Sequence, residues 1–199
     1  MSILKNHSFS KLEMADATKQ SIELISMPAI FSFCLSFLSI ISDKHVETLL
    51  AVAVEEFLQI IGIVLTFYSS VFFAGLSMIL IRFGFVRELL NWITASICKC
   101  GFNFTAVVVG VFLGLAIPVW IQTGSVNQFF GFLLLVLWFS GFQWTYYFIS
   151  VLVHDEIKEP ERSYFGINVQ DLLIALGVIF VLISFFGIYT ERWPGVFGA

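Results

Sequence analysis

Long apolar runs without charged residues alternate along this chain with short charged stretches. About 20 apolar residues in a helix cross a hydrocarbon core of roughly 30 Å, so such runs mark membrane spans. They predict five spans, at residues 24–42, 57–81, 104–121, 129–153 and 172–190. Because no Asp, Glu, Lys or Arg occurs between Cys100 and Val153, the turn between the third and fourth spans is assigned to the polar stretch 122–128.

The composition also indicates a membrane protein. The 199 residues are 59% hydrophobic and 12% charged, whereas soluble domains are about 45–50% apolar and 25% charged. No linker or repeat divides the chain, so we predict one all-α domain with short interfacial helices. It comprises a cytoplasmic amphipathic segment (1–23), a transmembrane helical bundle (24–190) and a short external tail (191–199). A net charge of -4 with scattered basic residues argues against a nucleic acid partner.

Basic residues predict the orientation of the spans. With the N-terminus in the cytoplasm, only Lys44 and Arg192 fall on the outer side. The inner side then holds Lys5, Lys11, Lys19, Arg82, Arg87, Lys99, Lys158 and Arg162. This bias follows the positive-inside rule, and an odd number of spans places the C-terminus outside.

Two cytoplasmic segments are predicted to lie along the membrane surface. Ser10 and Glu13 have the spacing of a capping box, which opens a short helix that continues into the first span. Residues 87–99 alternate apolar side chains, including Trp92, with charged ones, as interfacial amphipathic helices do.

A polar stripe is predicted on the fourth span. Its members recur at helical spacing and share an arc of about 80°; they are Ser140, Gln143, Tyr147, Ser150 and His154. One interpretation is a path for protons or polar solutes, with His154 titrating near neutral pH. The other is hydrogen bonding between helices.

A second stripe lies on one face of the second span. It consists of Glu55, Gln59, Gly62, Thr66, Ser69 and Ser77. If the helix enters the membrane before residue 57, the Glu55 carboxylate is partly immersed, where an ionised group is expensive and usually functional. Otherwise Glu55 and Glu56 mark the outer interface.

Small residues predict close packing between helices. Ala106, Gly110 and Gly114 recur every four residues on the third span and include a GxxxG pattern, which lets two helix backbones approach. Ser32 and Ser36 offer a similar face on the first span. The pattern predicts either a tight bundle or a dimer.

Candidate chemistry is sparse in this sequence. Cys34, Cys98 and Cys100 are too few and too unevenly placed for a disulfide framework, so three free thiols are expected. No Ser/His/Asp signature, phosphate loop or HExxH motif occurs. We therefore expect no catalytic, cofactor or metal site.

Three local features stand in order before and at the start of the third span: Arg82-Phe-Gly84, the amphipathic segment 87–99 and Gly101-Phe102. They resemble the basic loop, short helix and start of the third span in the Yip-domain family of five-span membrane proteins, which share the cytoplasmic N-terminus and external C-terminus expected here. The resemblance covers residues 27–187. It implies a non-catalytic bundle in a bacterial inner membrane that acts in membrane organisation or trafficking-like processes.

Two functional hypotheses follow from these patterns. The first is a non-enzymatic membrane protein that works through helix packing and contacts with lipid, with membrane proteins or with further copies of itself. The alternative is a small transporter or channel subunit with a polar path along the second and fourth spans.

Overall fold

The structure, a computed structural model, describes residues 14–41, 61–155, 163–164 and 167–192. Apart from one short hairpin, every element in this part is a helix. The helices are α1 (Met14–Ile41), α2 (Ile61–Ile79), α3 (Gly84–Thr123), α4 (Val126–Asp155) and α5 (Val169–Arg192). Strands β1 (Ser163–Tyr164) and β2 (Ile167–Asn168) pair antiparallel directly before α5, with Ser163 opposite Asn168 and Tyr164 opposite Ile167.

Among the residues that the structure describes, four helices are long and apolar enough to cross a membrane. The segments are Met14–Leu38, Gly84–Thr123, Val126–Val153 and Val169–Gly187, and a shorter apolar helix covers Thr66–Ile79. Large apolar side chains on these helices face outwards; Phe85 is 77% exposed, Met27 74% and Phe186 74%. Because lipid tails accommodate such side chains and water does not, the expectation of an all-α integral membrane protein is confirmed.

Helix α3 joins two segments that the sequence analysis treated separately. The predicted interfacial segment 87–99 and the predicted third span form one helix of 40 residues, about 60 Å long. The charge at Lys99 is no helix breaker, and neither a cap nor a proline separates it from residue 104. The first half of α3 also has a packed inner face, on which Thr94 and Cys98 are fully buried.

The turn between α3 and α4 lies within the predicted polar stretch 122–128. Gly124 has φ 62°, the left-handed conformation that commonly ends a helix, and its N–H donates to the Trp120 carbonyl at 2.9 Å. The Ser125 hydroxyl accepts from the Gln128 N–H at 3.4 Å and caps the start of α4. Two residues, Gly124 and Ser125, thus separate the two helices.

The chain forms two compact units. The first unit contains Ile63–Gly101 and the chain from Tyr146 onward, and the second contains α1 and Phe102–Thr145. In the first unit α2 runs antiparallel to the first half of α3, since Ser77 contacts Asn91 and Ser70 contacts Cys98. In the second unit α1 runs parallel to α3, since Gly110 contacts Ile25 and Gly114 contacts Ala29.

Candidate functional site

Gln143 joins two helices within the second unit. Its side chain is 1% exposed, and its Nε2 donates to the Ser21 hydroxyl of α1 at 2.9 Å. Ser21 is itself 6% exposed. A buried amide in a membrane protein needs such a partner, and measured bonds of this kind contribute about 0.6 kcal/mol on average. This member of the predicted stripe therefore bonds directly across a helix contact.

The remaining members of the stripe on α4 are divided between the units. Ser140, in the second unit, donates to the Val136 carbonyl of its own helix at 2.7 Å. Tyr147 and Ser150, in the first unit, are buried, and the Ser150 Oγ has no hydrogen-bond partner within the described part of the chain. His154 is on α4, but its side chain lies outside the described residues.

The stripe predicted on the second span is only partly described. Glu55 and Gln59 lie outside the described residues. Thr66 is half-buried on α2. Ser77 is fully buried and donates a hydrogen bond to the Asn91 side-chain oxygen of α3.

Ser70 and Cys98 form a second polar contact between α2 and α3. Both side chains are fully buried, and the Cys98 thiol is hydrogen-bonded to the Ser70 hydroxyl. Ser70 also donates to the Phe67 carbonyl at 2.7 Å. Ser70 and Asn91 belong to neither of the predicted polar stripes. The spacing of the polar residues could have indicated both contacts. Seven positions separate Ser70 from Ser77 on α2 and Asn91 from Cys98 on α3, as expected for two antiparallel helices in contact.

The GxxxG face of α3 packs on α1. A Cβ added at Gly110 would lie 2.5 Å from the Ile25 carbonyl oxygen, and one at Gly114 would overlap the Ala29 carbonyl oxygen. Ala106, one turn before, is fully buried. Ser32 of α1 lies against Gly114, and Ser36 is 2% exposed on the same helix. The two backbones are therefore in direct contact within one chain.

A second glycine contact, between α2 and α5, was not predicted. A Cβ at Gly75 would lie 2.7 Å from the Gly177 carbonyl oxygen, and one at Gly177 would lie 2.7 Å from the Gly75 carbonyl oxygen. Ten residues further along α5, Gly187 contacts the Tyr68 ring. Only one glycine of each helix lies at this crossing, so the contact leaves no glycine repeat that a sequence search could detect.

Gly101 has a specific packing role in the first unit. A Cβ there would lie 2.5 Å from the Tyr146 ring, so the ring lies directly on the backbone of α3. Tyr146 is fully buried and also contacts Phe67 edge-on, with ring centroids 6.0 Å apart. This residue of the predicted Gly101-Phe102 motif thus provides room for an aromatic ring.

The described cysteines and acids do not form a metal site. Cys98 is buried, Cys34 and Cys100 are exposed, and all three are free thiols. Within the described ranges, no group of three or more His, Cys, Asp or Glu side chains could hold a metal ion. The contacts that the structure does provide are packing contacts and hydrogen bonds between helices.

Compared with known proteins, the chain matches no protein-family model, no curated protein and no solved structure.

Proposed function

We propose that this chain is a non-enzymatic polytopic membrane protein that acts in membrane organisation through its helix packing and its contacts with lipid or protein. The observation that carries the proposal is the bond from Gln143 to Ser21. A transport path needs polar side chains that are free to exchange partners with a solute. Gln143, the most polar described member of the stripe, instead forms a hydrogen bond that joins α4 to α1.

The Yip-domain family is the class of protein that we propose as a relative. The resemblance of Arg82-Phe-Gly84 and Gly101-Phe102 supports it. We further propose a bacterial inner membrane, with the N-terminus cytoplasmic and the C-terminus external. Reporter fusions at Met1 and Ala199 test this orientation, since they should be accessible from opposite compartments. Access to both from one compartment would contradict it.

The functional proposal can be tested in vesicles. The purified full chain is reconstituted at increasing protein-to-lipid ratios into vesicles of phosphatidylethanolamine and phosphatidylglycerol, and vesicle size and lipid diffusion are measured. We expect both to change with protein density while proton permeability stays at the level of protein-free vesicles. Unchanged vesicles that conduct protons would contradict the proposal and support the alternative.

The alternative, a small transporter or channel subunit, has one observation in its favour. Ser150 is 2% exposed, and its hydroxyl has no hydrogen-bond partner among the described residues, which is the environment of a bound water molecule or solute. A Ser150→Ala variant should abolish proton or solute flux in proteoliposomes if this hydroxyl lines a path. Val153→Ala, one turn away and also buried, is the matched control.

A further inference from the structure

Ser150 differs from three other buried hydroxyl residues of the first unit. Ser70, Thr94 and Ser184 are fully buried, and each donates to a carbonyl about one turn earlier in its own helix, at 2.7, 2.8 and 2.8 Å. Ser150 is 2% exposed, yet its hydroxyl has no hydrogen-bond partner among the described residues. A helical serine can always rotate toward such a carbonyl, so the Ser150 hydroxyl is turned away from its own backbone.

The contacts of Tyr146 show which residues lie level with Ser150. The Tyr146 ring lies on Gly101 of α3 and contacts Phe67 of α2 edge-on. Helix α3 is antiparallel to α2, and it is also antiparallel to α4, since their ring contacts progress in opposite chain directions. One turn onward in α4 and α2 is therefore level with one turn back in α3. These steps reach three polar residues, Ser150, Ser70 and Cys98.

The hydrogen-bonding capacity at this level is only partly used. The Ser70 hydroxyl donates to the Phe67 carbonyl, so in its bond with Cys98 the thiol is the donor. One lone pair of the Ser70 oxygen and the Cys98 sulfur remain as acceptors. Ser150 adds a donor that no described residue accepts. Polar groups that face one another beyond direct hydrogen-bond distance are commonly bridged by water.

We infer that Ser150, Ser70 and Cys98 bind one buried water molecule. The water accepts from the Ser150 hydroxyl and donates to the Ser70 oxygen and the Cys98 sulfur, which gives it roughly three hydrogen bonds, the usual number for a buried water. A buried hydroxyl without a partner loses the free energy of its hydration, and this arrangement restores it. The water thereby joins α4 to the pair of α2 and α3 as a fixed part of their packing.

This water site goes beyond the proposed function and does not depend on it. Its tests measure unfolding and thiol exchange in the full chain, and they use neither flux nor vesicle properties. Failure of the water site and failure of membrane organisation are therefore separate results.

Thermal unfolding in detergent distinguishes a hydroxyl bound to water from one without a partner. Ser150→Ala is compared with Ser184→Ala, because Ser184 is buried in the same unit and its hydroxyl is satisfied within α5. The gain in helix propensity is the same in both variants. We expect Ser150→Ala to lower the unfolding temperature at least as much as Ser184→Ala does, since each loses a satisfied hydrogen bond. A higher unfolding temperature for Ser150→Ala than for Ser184→Ala would mean that an unsatisfied hydroxyl was removed, which would overturn the inference.

The Cys98 thiol reports the water directly. In the full chain carrying Cys34→Ser and Cys100→Ser, Cys98 is the only thiol, and its S–H stretching band is followed by infrared spectroscopy after transfer to D₂O. We expect the band to convert to S–D although Cys98 is fully buried, because the bound water exchanges with solvent and with the thiol proton. Ser150→Ala should slow this conversion by roughly fivefold, the factor that corresponds to one ordinary hydrogen bond.

Ser184→Ala serves as the control for thiol exchange as well, and it should leave the rate of conversion unchanged. An S–H band that persists until the protein unfolds would overturn the inference, since no water then reaches Cys98. Equal conversion rates in the two alanine variants would also overturn it, because exchange would then follow general opening of the helices.

Discussion

Within the described residues, glycines bring helix backbones into direct contact at two crossings, and these crossings differ in how the glycines are distributed. Between α1 and α3, one helix supplies both Gly110 and Gly114, and the other supplies the backbone around Pro28. Between α2 and α5, each helix supplies one glycine, and Gly75 and Gly177 meet each other. Close backbone approach is achieved in both cases, but only the first leaves a repeat in the sequence.

The largest effect is expected from the double variant Gly110→Ala with Gly114→Ala. Each new Cβ would meet α1 backbone, which cannot move aside as a flexible side chain can. Overpacking of this kind costs about 1–3 kcal/mol per site, so α1 should detach or the unfolding temperature in detergent should fall strongly. Thermal unfolding followed by tryptophan fluorescence measures it.

The matched control for this variant is Gly131→Ala with Gly141→Ala on α4. Neither glycine has any atom within 4 Å of an added Cβ. Both are helical, so the control also includes the gain that alanine gives over glycine in a helix. Equal unfolding temperatures for the two double variants would show that Gly110 and Gly114 are not in contact with α1.

The second contact should respond to a single substitution. Gly177→Ala places a Cβ against the Gly75 carbonyl oxygen and the Met78 side chain, and we expect a loss of about 1–3 kcal/mol. Gly75→Ala should cost a similar amount. The two should not be additive, because the helices have already moved apart once either Cβ is present. A double variant that loses the full sum of both would contradict a shared crossing point.

Hydrogen bonds between helices can be compared in the same way, and we expect their effects on stability to be smaller than those of the glycine contacts. Replacing Gln143 by leucine and Ser21 by alanine, singly and together, gives a double-mutant cycle for the bond between α1 and α4. We expect a coupling energy of about 0.6 kcal/mol, the average for hydrogen bonds between membrane helices. The cycle of Ser77→Ala and Asn91→Leu measures the corresponding bond between α2 and α3. A coupling near zero in the first cycle would remove the main support for the proposed function.

Much of the fold could be predicted from the sequence. The physical reasons for this success also explain which features could not be predicted. Apolar runs predict spans because length and charge alone decide whether a helix can cross lipid. The turn at Gly124 was predictable because polar residues interrupt an uncharged run of more than 50 residues. The continuity of α3 was not, since the charge at Lys99 was interpreted as a boundary although nothing there ends a helix.

The candidate site was predictable only on one side of each contact. Helical spacing places Gln143 on a polar stripe, but Ser21, its partner, was assigned to a cytoplasmic segment and was not considered. Spacing likewise identifies the Gly110 face without saying which helix covers it. Partner choice depends on the relative alignment of helices distant in sequence, and the pattern of a single helix contains no information about it.

The smallest effects are expected at the exposed cysteines, and they check which side of each helix is packed. Cys34→Ser and Cys100→Ser should change the free energy of unfolding in detergent by about 0.5 kcal/mol or less, as substitutions outside packed contacts usually do. Cys98→Ala should cost about 1 kcal/mol, because Cys98 is fully buried beside Ser70 on the face that joins α3 to α2. The exposed pair thus serves as control for the buried residue. If Cys34→Ser destabilised the monomer as much as Cys98→Ala, the outer side of α1 would be a packed face, and Gly110 and Gly114 could not be the main attachment of that helix.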